Sequence, residues 1–161
     1  MISKTAKIRM AATALTISGA GFVGIAAYEG YRETAYTPVP GDVQTIGFGS
    51  TGPDIRQGDK TTPVAAMVRA LGDVEKFSAA VRRCAPVPMH QYEFDAFVSL
   101  TYNIGPGAFC KSSIVKKIKQ GDYAGACAEI LRWNKFKGKP LAGLTNRRKA
   151  EYKLCVGENN D

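Results

Sequence analysis

The spacing of hydrophobic and polar positions changes in character along the chain. From Met10 to Tyr28 no charged residue occurs. The larger apolar residues there, Met10, Leu15, Ile17, Phe22, Val23 and Ile25, are diluted by Ala, Gly, Ser and Thr. As one helix this run would extend roughly 28 Å, close to the ~30 Å hydrocarbon core of a bilayer. Lys4, Lys7 and Arg9 precede it, the basic flank of a segment whose N-terminus stays in the cytoplasm while the rest is exported. Three readings stand side by side: a signal peptide cleaved near Ala26 and Ala27, a permanent anchor, or a buried helix rich in small residues.

Beyond Glu29 the pattern shortens. Pro38, Pro40, Gly41, Gly47 and Gly49 punctuate Tyr36 to Ser50, with Val43, Thr45, Ile46 and Phe48 between them. Turn residues around short β-prone stretches predict a small antiparallel hairpin. Thr51 to Lys60 reads as a polar loop. The remainder is helical. Thr62 before Pro63 is a helix start, and Val64, Met67, Val68 and Leu71 repeat at i, i+3, i+4 and i+7, which predicts that they face the core. Ala85-Pro86-Val87-Pro88 ends that helix. Phe94, Phe97, Val98 and Thr101 form a second stripe that stops at Gly105-Pro106-Gly107. Ile114, Val115 and Ile118 mark a short helix, and Tyr123 to Trp133 and Thr145 to Cys155 two more. The expected fold is α+β and mostly helical: a β-hairpin lobe and a helical lobe joined by a long helix, with a cleft between them.

Composition narrows this picture. With 161 residues and 45% hydrophobic content, the chain suits one core. Lys plus Arg number 22 against 14 acidic residues, a net charge of +8; such a surface favours nucleic acid, anionic lipid or an anionic cell wall. Cys84, Cys110, Cys127 and Cys155 lack C-x-x-C spacing, and His90 is the sole histidine. No metal site and no cofactor are expected. Position suggests the pairs Cys127–Cys155, on the last two helices, and Cys84–Cys110, at a helix end and a following helix start. Other pairings, or four free thiols, stay open.

Glycoside hydrolysis needs a carboxylic acid on one side of the scissile bond and a carboxylate on the other. Glu29 ends the apolar run, where a helix C-terminus and apolar neighbours both favour the protonated form. Asp42 sits in the hairpin turn, and Thr45 is placed to hydrogen-bond a water. Each also has a plain structural reading: a solvated Glu, a turn Asp, a β-branched strand residue.

The surrounding residues add a resemblance. Glu29-Gly30-Tyr31-Arg32-Glu33-Thr34-Ala35-Tyr36, then Thr45-Ile46-Gly47-Phe48-Gly49, is similar to E-G-x-R/S-x-x-x-Y and T-I-G-x-G-H of the phage lysozymes. Asn103-Ile104-Gly105-Pro106-Gly107-Ala108-Phe109 with Ser112-Ser113, Gly121-Asp122-Tyr123 with Leu131-Arg132-Trp133, and Gly143-Leu144-Thr145-Asn146-Arg147-Arg148 resemble later elements of that family, in its order. Each motif is weak alone; the ordered set is specific.

The resemblance implies a lysozyme-like fold and a catalytic Glu, Asp and Thr spaced E-x8-D-x5-T. Glu29 and Thr45 match. The usual Asp position falls on Pro38, and Asp42 is the only carboxylate between Tyr36 and Thr45, so Asp42 takes that role. Ser50 replaces the family's His. Asn103, Arg147 and Arg148 are expected to bind substrate or to pack. The implied function is an endolysin that hydrolyses the β-1,4 bond between N-acetylmuramic acid and N-acetylglucosamine in peptidoglycan and lyses the host. The alternatives are a lytic transglycosylase on the same fold and a non-catalytic basic wall-binding module.

The N-terminus resembles the signal-anchor-release endolysins. That implies residues 1–28 as an anchoring segment and 29–161 as the catalytic domain. The partners would be peptidoglycan and, before release, the inner membrane, with no nucleic acid and a monomeric chain. The location would be the periplasmic face of the host inner membrane and then the periplasm. After release the segment is expected to pack on the helical lobe, burying Phe22, Val23 and Ile25.

Overall fold

A computed structural model describes residues 8–158; Lys4 and Lys7 lie outside them. The chain enters through a 3-10 turn at Ala12–Ala14 and helix α1, Gly19–Glu29. Strands β1 (Arg32–Tyr36), β2 (Thr45–Gly47) and β3 (Ser50–Thr51) follow, then the long helix α2 (Pro63–Cys84). Helices α3 (Gln91–Ile104), α4 (Pro106–Lys111), α5 (Ser113–Lys119) and α6 (Tyr123–Glu129) build the second lobe. A short ribbon of β4 (Lys135–Phe136) and β5 (Lys139–Pro140) leads into α7, Ala142–Cys155. The expected α+β, mostly helical architecture is present, with the hairpin extended to an antiparallel sheet in the order β1-β2-β3.

α3 runs through the middle of the helical lobe. Phe94, Phe97, Val98 and Leu100 are fully buried against Phe109, Ile114, Ile118 and Ile130. The β lobe has only a small cluster of its own, Ala35, Ile46 and Ile55. It leans on α2 instead. At Gly47, with φ +64°, an added Cβ would come within 2.7 Å of Ala66 Cβ, so sheet and helix meet at a distance only glycine permits.

Two sequence expectations are corrected here. Val64, Met67, Val68 and Leu71 do not face the core: all four are exposed, and Ala66, Ala70, Val74, Ser78 and Val81 are buried. The close approach at Gly47 selects the small-residue face, and the larger aliphatics are left outside. α4 and the β4–β5 ribbon are also additions to the expected pattern.

The second correction concerns the inner membrane as a partner and as a location. No helix among the described residues is long and apolar enough to cross a membrane. The uncharged run is broken instead into the 3-10 turn, an extended stretch and the short α1. Ser18 causes the break. Its Oγ accepts from Gly21 N at 3.0 Å as the N-cap of α1, and its N and Oγ donate to the buried Asp95 at 3.0 and 2.5 Å. Such a cap fixes the start of a helix.

The rest of the segment is tied to the helical lobe. Met10 and Met89 exchange backbone hydrogen bonds of 2.8 Å, Gln91 donates to Thr16 O and Arg82 to Leu15 O. Leu15 and Ile25 are in the main core and Phe22 packs against it, whereas Val23 is 65% exposed.

Disulfides join Cys84 to Cys110, linking α2 to α4, and Cys127 to Cys155, linking α6 to α7, with Cα–Cα distances of 5.3 and 5.7 Å. Two stability measurements follow. Leu15→Ala, at a fully packed site, is expected to cost about 2–5 kcal/mol in urea unfolding; an unchanged midpoint would place Leu15 outside the core. The Cys127→Ala/Cys155→Ala variant is expected to lose about 3–4 kcal/mol, as the chain-entropy relation gives for loops of this size.

Candidate active site

Glu29 is the last residue of α1, where the helix ends against the sheet. Gly30 follows with φ +68°, and its N–H still bonds to Ala26 O at 3.1 Å. The side chain of Glu29 is 23% exposed, so it is held mostly by protein yet reaches solvent. Its two oxygens have different surroundings. Oε1 accepts from Nη1 of Arg147 on α7 at 3.1 Å. Oε2 faces Gly49 in the β2–β3 turn, where an added Cβ would stand 3.1 Å from it. Arginine donates and never accepts, so a proton on this carboxyl belongs on Oε2, the oxygen turned to the β lobe.

Tyr102 on α3 completes the surround. Its hydroxyl donates to Phe48 O at 3.3 Å, and burial, with the Glu29 charge second, pushes its pKa up to about 12. It stays a neutral phenol that ties the β2–β3 turn to the helical lobe. Arg147 also lies over the Tyr28 ring, 4.7 Å from its centroid.

Behind Arg147 is a buried ionic cluster. Arg147, Arg148 and Glu151 lie on one turn of α7 and are 6%, 0% and 3% exposed. Arg147 Nε donates to Glu151 Oε1 at 3.2 Å, and Arg148 Nε stands 2.9 Å from Oε2. Ser99 Oγ donates to Oε1 at 2.7 Å. Burial raises Glu151 above the usual carboxylate range, and Arg148, Ser99 and Arg147 pull it back. Burial also lowers Arg148 from its ordinary value.

The remaining residues expected at the site are dispersed. Asp42 is exposed in the loop between β1 and β2, with Oδ1 accepting from Val43 N at 2.9 Å. Thr45 opens β2 and is buried, its hydroxyl 3.4 Å from Val43 O. Asn103 is exposed at the end of α3, with Oδ1 accepting from Arg148 Nη2 at 3.0 Å. Arg148 has no exposed surface with which to touch a glycan; it holds Asn103 instead. Sequence reasoning missed Glu151, Ser99 and Tyr102. For Glu151 a signal existed, since it lies three and four residues beyond the two arginines on one helix.

A cavity of about 540 Å³ opens beside Arg147, lined by Tyr28, Leu141, Ala142, Gly143 and Leu144. A larger one, about 680 Å³, runs under α1 and reaches Tyr28 and Glu151 but not Glu29. Glu29 lines neither cavity. No group of His, Cys, Asp and Glu suited to a metal occurs among the described residues.

A glutamate at the junction of a small sheet and a helical lobe, with one oxygen tied down and the other turned toward the opposite lobe, defines a lysozyme-type glycoside hydrolase. Comparison with known proteins agrees. The phage lysozyme family profile matches residues 26–151, and the chain belongs to that family. It is 40% identical over 141 residues to the endolysin of Bacillus phage PZA, covering 87% of this chain but only 55% of that protein's length. It is 34% identical over 161 residues to the SAR-endolysin of Escherichia phage Mu, covering 92% and 90%. The solved endolysin from Escherichia coli O157:H7 phage FAHEc1 superposes with a TM-score of 0.80 at 36% identity, covering 90% of this chain and 96% of that one.

The contact at Gly49 gives a test. Gly49→Ala adds a methyl against Glu29 Oε2 at a positive φ, and Gly58→Ala adds one at φ +88° with nothing within 4 Å. Both are expected to lose about 1–2 kcal/mol from left-handed strain. Only Gly49→Ala should lose most of its activity, read as release of fragments from cell walls.

Proposed function

We propose that this chain is a muramidase: it hydrolyses the β-1,4 bond between N-acetylmuramic acid and N-acetylglucosamine in bacterial peptidoglycan, and acts as an endolysin that lyses the host cell. The observation that carries this reading is the asymmetric setting of Glu29. With Oε1 anchored by Arg147, a proton on Oε2 is presented to the interlobe space, where a glycosidic oxygen would lie. Glu29 is the general acid, protonating the leaving oxygen as the bond to carbon breaks.

In this reading Asp42, in the loop between β1 and β2, and Thr45, at the start of β2, hold the attacking water. Asp42 uses one oxygen on Val43 N, which leaves the other for water. As the carboxylate, it takes up the proton that water loses on attacking carbon. Such an arrangement inverts the anomeric centre, and it needs the two carboxyl groups roughly 6.5–9.5 Å apart so that water fits between them. Asn103, steered by Arg148, offers its amide to an N-acetyl carbonyl. The net charge of +8 draws the protein to an anionic wall.

The longer Glu-to-Asp spacing and the exposure of Asp42 favour a second reading, a lytic transglycosylase, which needs the acid but no activated water. Mass spectrometry of digested peptidoglycan separates the two. Hydrolysis yields reducing ends, and anhydro ends would assign the transglycosylase reaction. Glu29→Gln, which keeps shape without a proton to give, is expected to fold and to lose about 10²–10⁴-fold in rate. Asp42→Asn should lower the rate by at least tenfold while wall binding persists; full activity in that variant would remove Asp42 from the mechanism.

A further inference from the structure

We infer that Glu151 is a positioning residue for the reaction, acting on Glu29 through Arg147; the inference rests on the acid role of Glu29 given above. An arginine against a general acid poses a problem. Its charge favours the carboxylate, and an acid must hold its proton until the substrate takes it. Here Arg147 stands 3.1 Å from Glu29 Oε1. The other titratable neighbours do not offset it. Tyr102 remains a neutral phenol, Tyr28 offers a ring face to Arg147, and the β2–β3 turn brings backbone and Gly49.

The compensating charge is Glu151. It lies on the far side of the same guanidinium, with Nε of Arg147 donating to Oε1 at 3.2 Å. The geometry gives Glu151 two effects. The bond at Nε fixes the guanidinium plane, so that Nη1 and not another edge meets Glu29. The negative charge offsets the field of Arg147 at Glu29, so the hydrogen bond is kept without the proton being driven off. Ser99 holds Oε1 from α3 at 2.7 Å, and Arg148 pairs with Oε2 at 2.9 Å. Hydrogen bonds from Ser99, Arg147 and Arg148 all meet at Oε1 and hold the carboxylate in place. Burial makes this coupling strong, since little water is present to screen it.

The experiment is a pH–rate profile of kcat/KM on soluble peptidoglycan fragments, which reports the ionisation of the free enzyme's acid on its alkaline limb. Glu151→Gln keeps the shape and removes the charge. Its alkaline limb is expected to move to lower pH by about one unit, a tenfold loss at pH 7 that is largely recovered in mild acid. Because that variant leaves Arg148 buried without its partner, Arg148→Met/Glu151→Gln is measured beside it. The double variant keeps Arg147, removes a cation and an anion together, and is expected to shift the limb the same way by less. A limb that stays in place in whichever variant folds, at any height of the plateau, gives Glu151 a purely structural part and overturns the inference, as does a shift to higher pH. Glu29→Gln in the same assay keeps the two questions apart. If it matches the unsubstituted enzyme, the acid role itself falls; if it is inactive while the Glu151 limb is unmoved, only the role of Glu151 falls.

Discussion

The structure depends on one buried cluster of charge. Arg147, Arg148 and Glu151 share a turn of α7 with almost no exposure, and they join α7 to three other places: Ser99 on α3, Asn103 at the end of α3, and Glu29 at the end of α1. Charges removed from water cost several kcal/mol each unless paired, and breaking such a pair costs about 3–5 kcal/mol. The cluster is therefore stable in essentially one arrangement. That arrangement holds the Glu29 carboxyl beside the β2–β3 turn with one oxygen committed to Arg147. Stability of the helical lobe and alignment of the Glu29 carboxyl are one constraint.

The N-terminal segment shows how local chemistry decides between environments. Its length and lack of charge suit a bilayer, but its polar contents suit a protein surface. Ser18 caps a helix and meets Asp95, Thr16 O accepts from Gln91, and Leu15 and Ile25 fill the core that α3 organises. The short α1 that results is long enough to carry Glu29 from the helical core to the edge of the sheet. Its two ends are fixed by ionic or polar contacts, Ser18 to Asp95 and Glu29 to Arg147, and its middle by a few apolar side chains. The segment is thus part of the scaffold that holds Glu29.

The sequence by itself determined the helical stripe from Phe94 to Thr101, the turn-rich sheet, the stop at Gly105 and the Glu at the end of an apolar run. These rest on local periods and on residues with narrow backbone preferences, which neighbours far along the chain do not override. It did not determine which face of α2 is buried, because Val64 and Ala66 are both apolar and only the approach of Gly47 selects the smaller. Nor did it show that two arginines are interior: an Arg-Arg pair on a helix reads as surface until Ser99 and Glu29 join Glu151 of the same helix from two other elements. Partners brought together across 118 positions, as Arg147 and Glu29 are, leave no local pattern. Their electrostatic pairing exists only once the helices have packed, and it was tertiary structure that decided it.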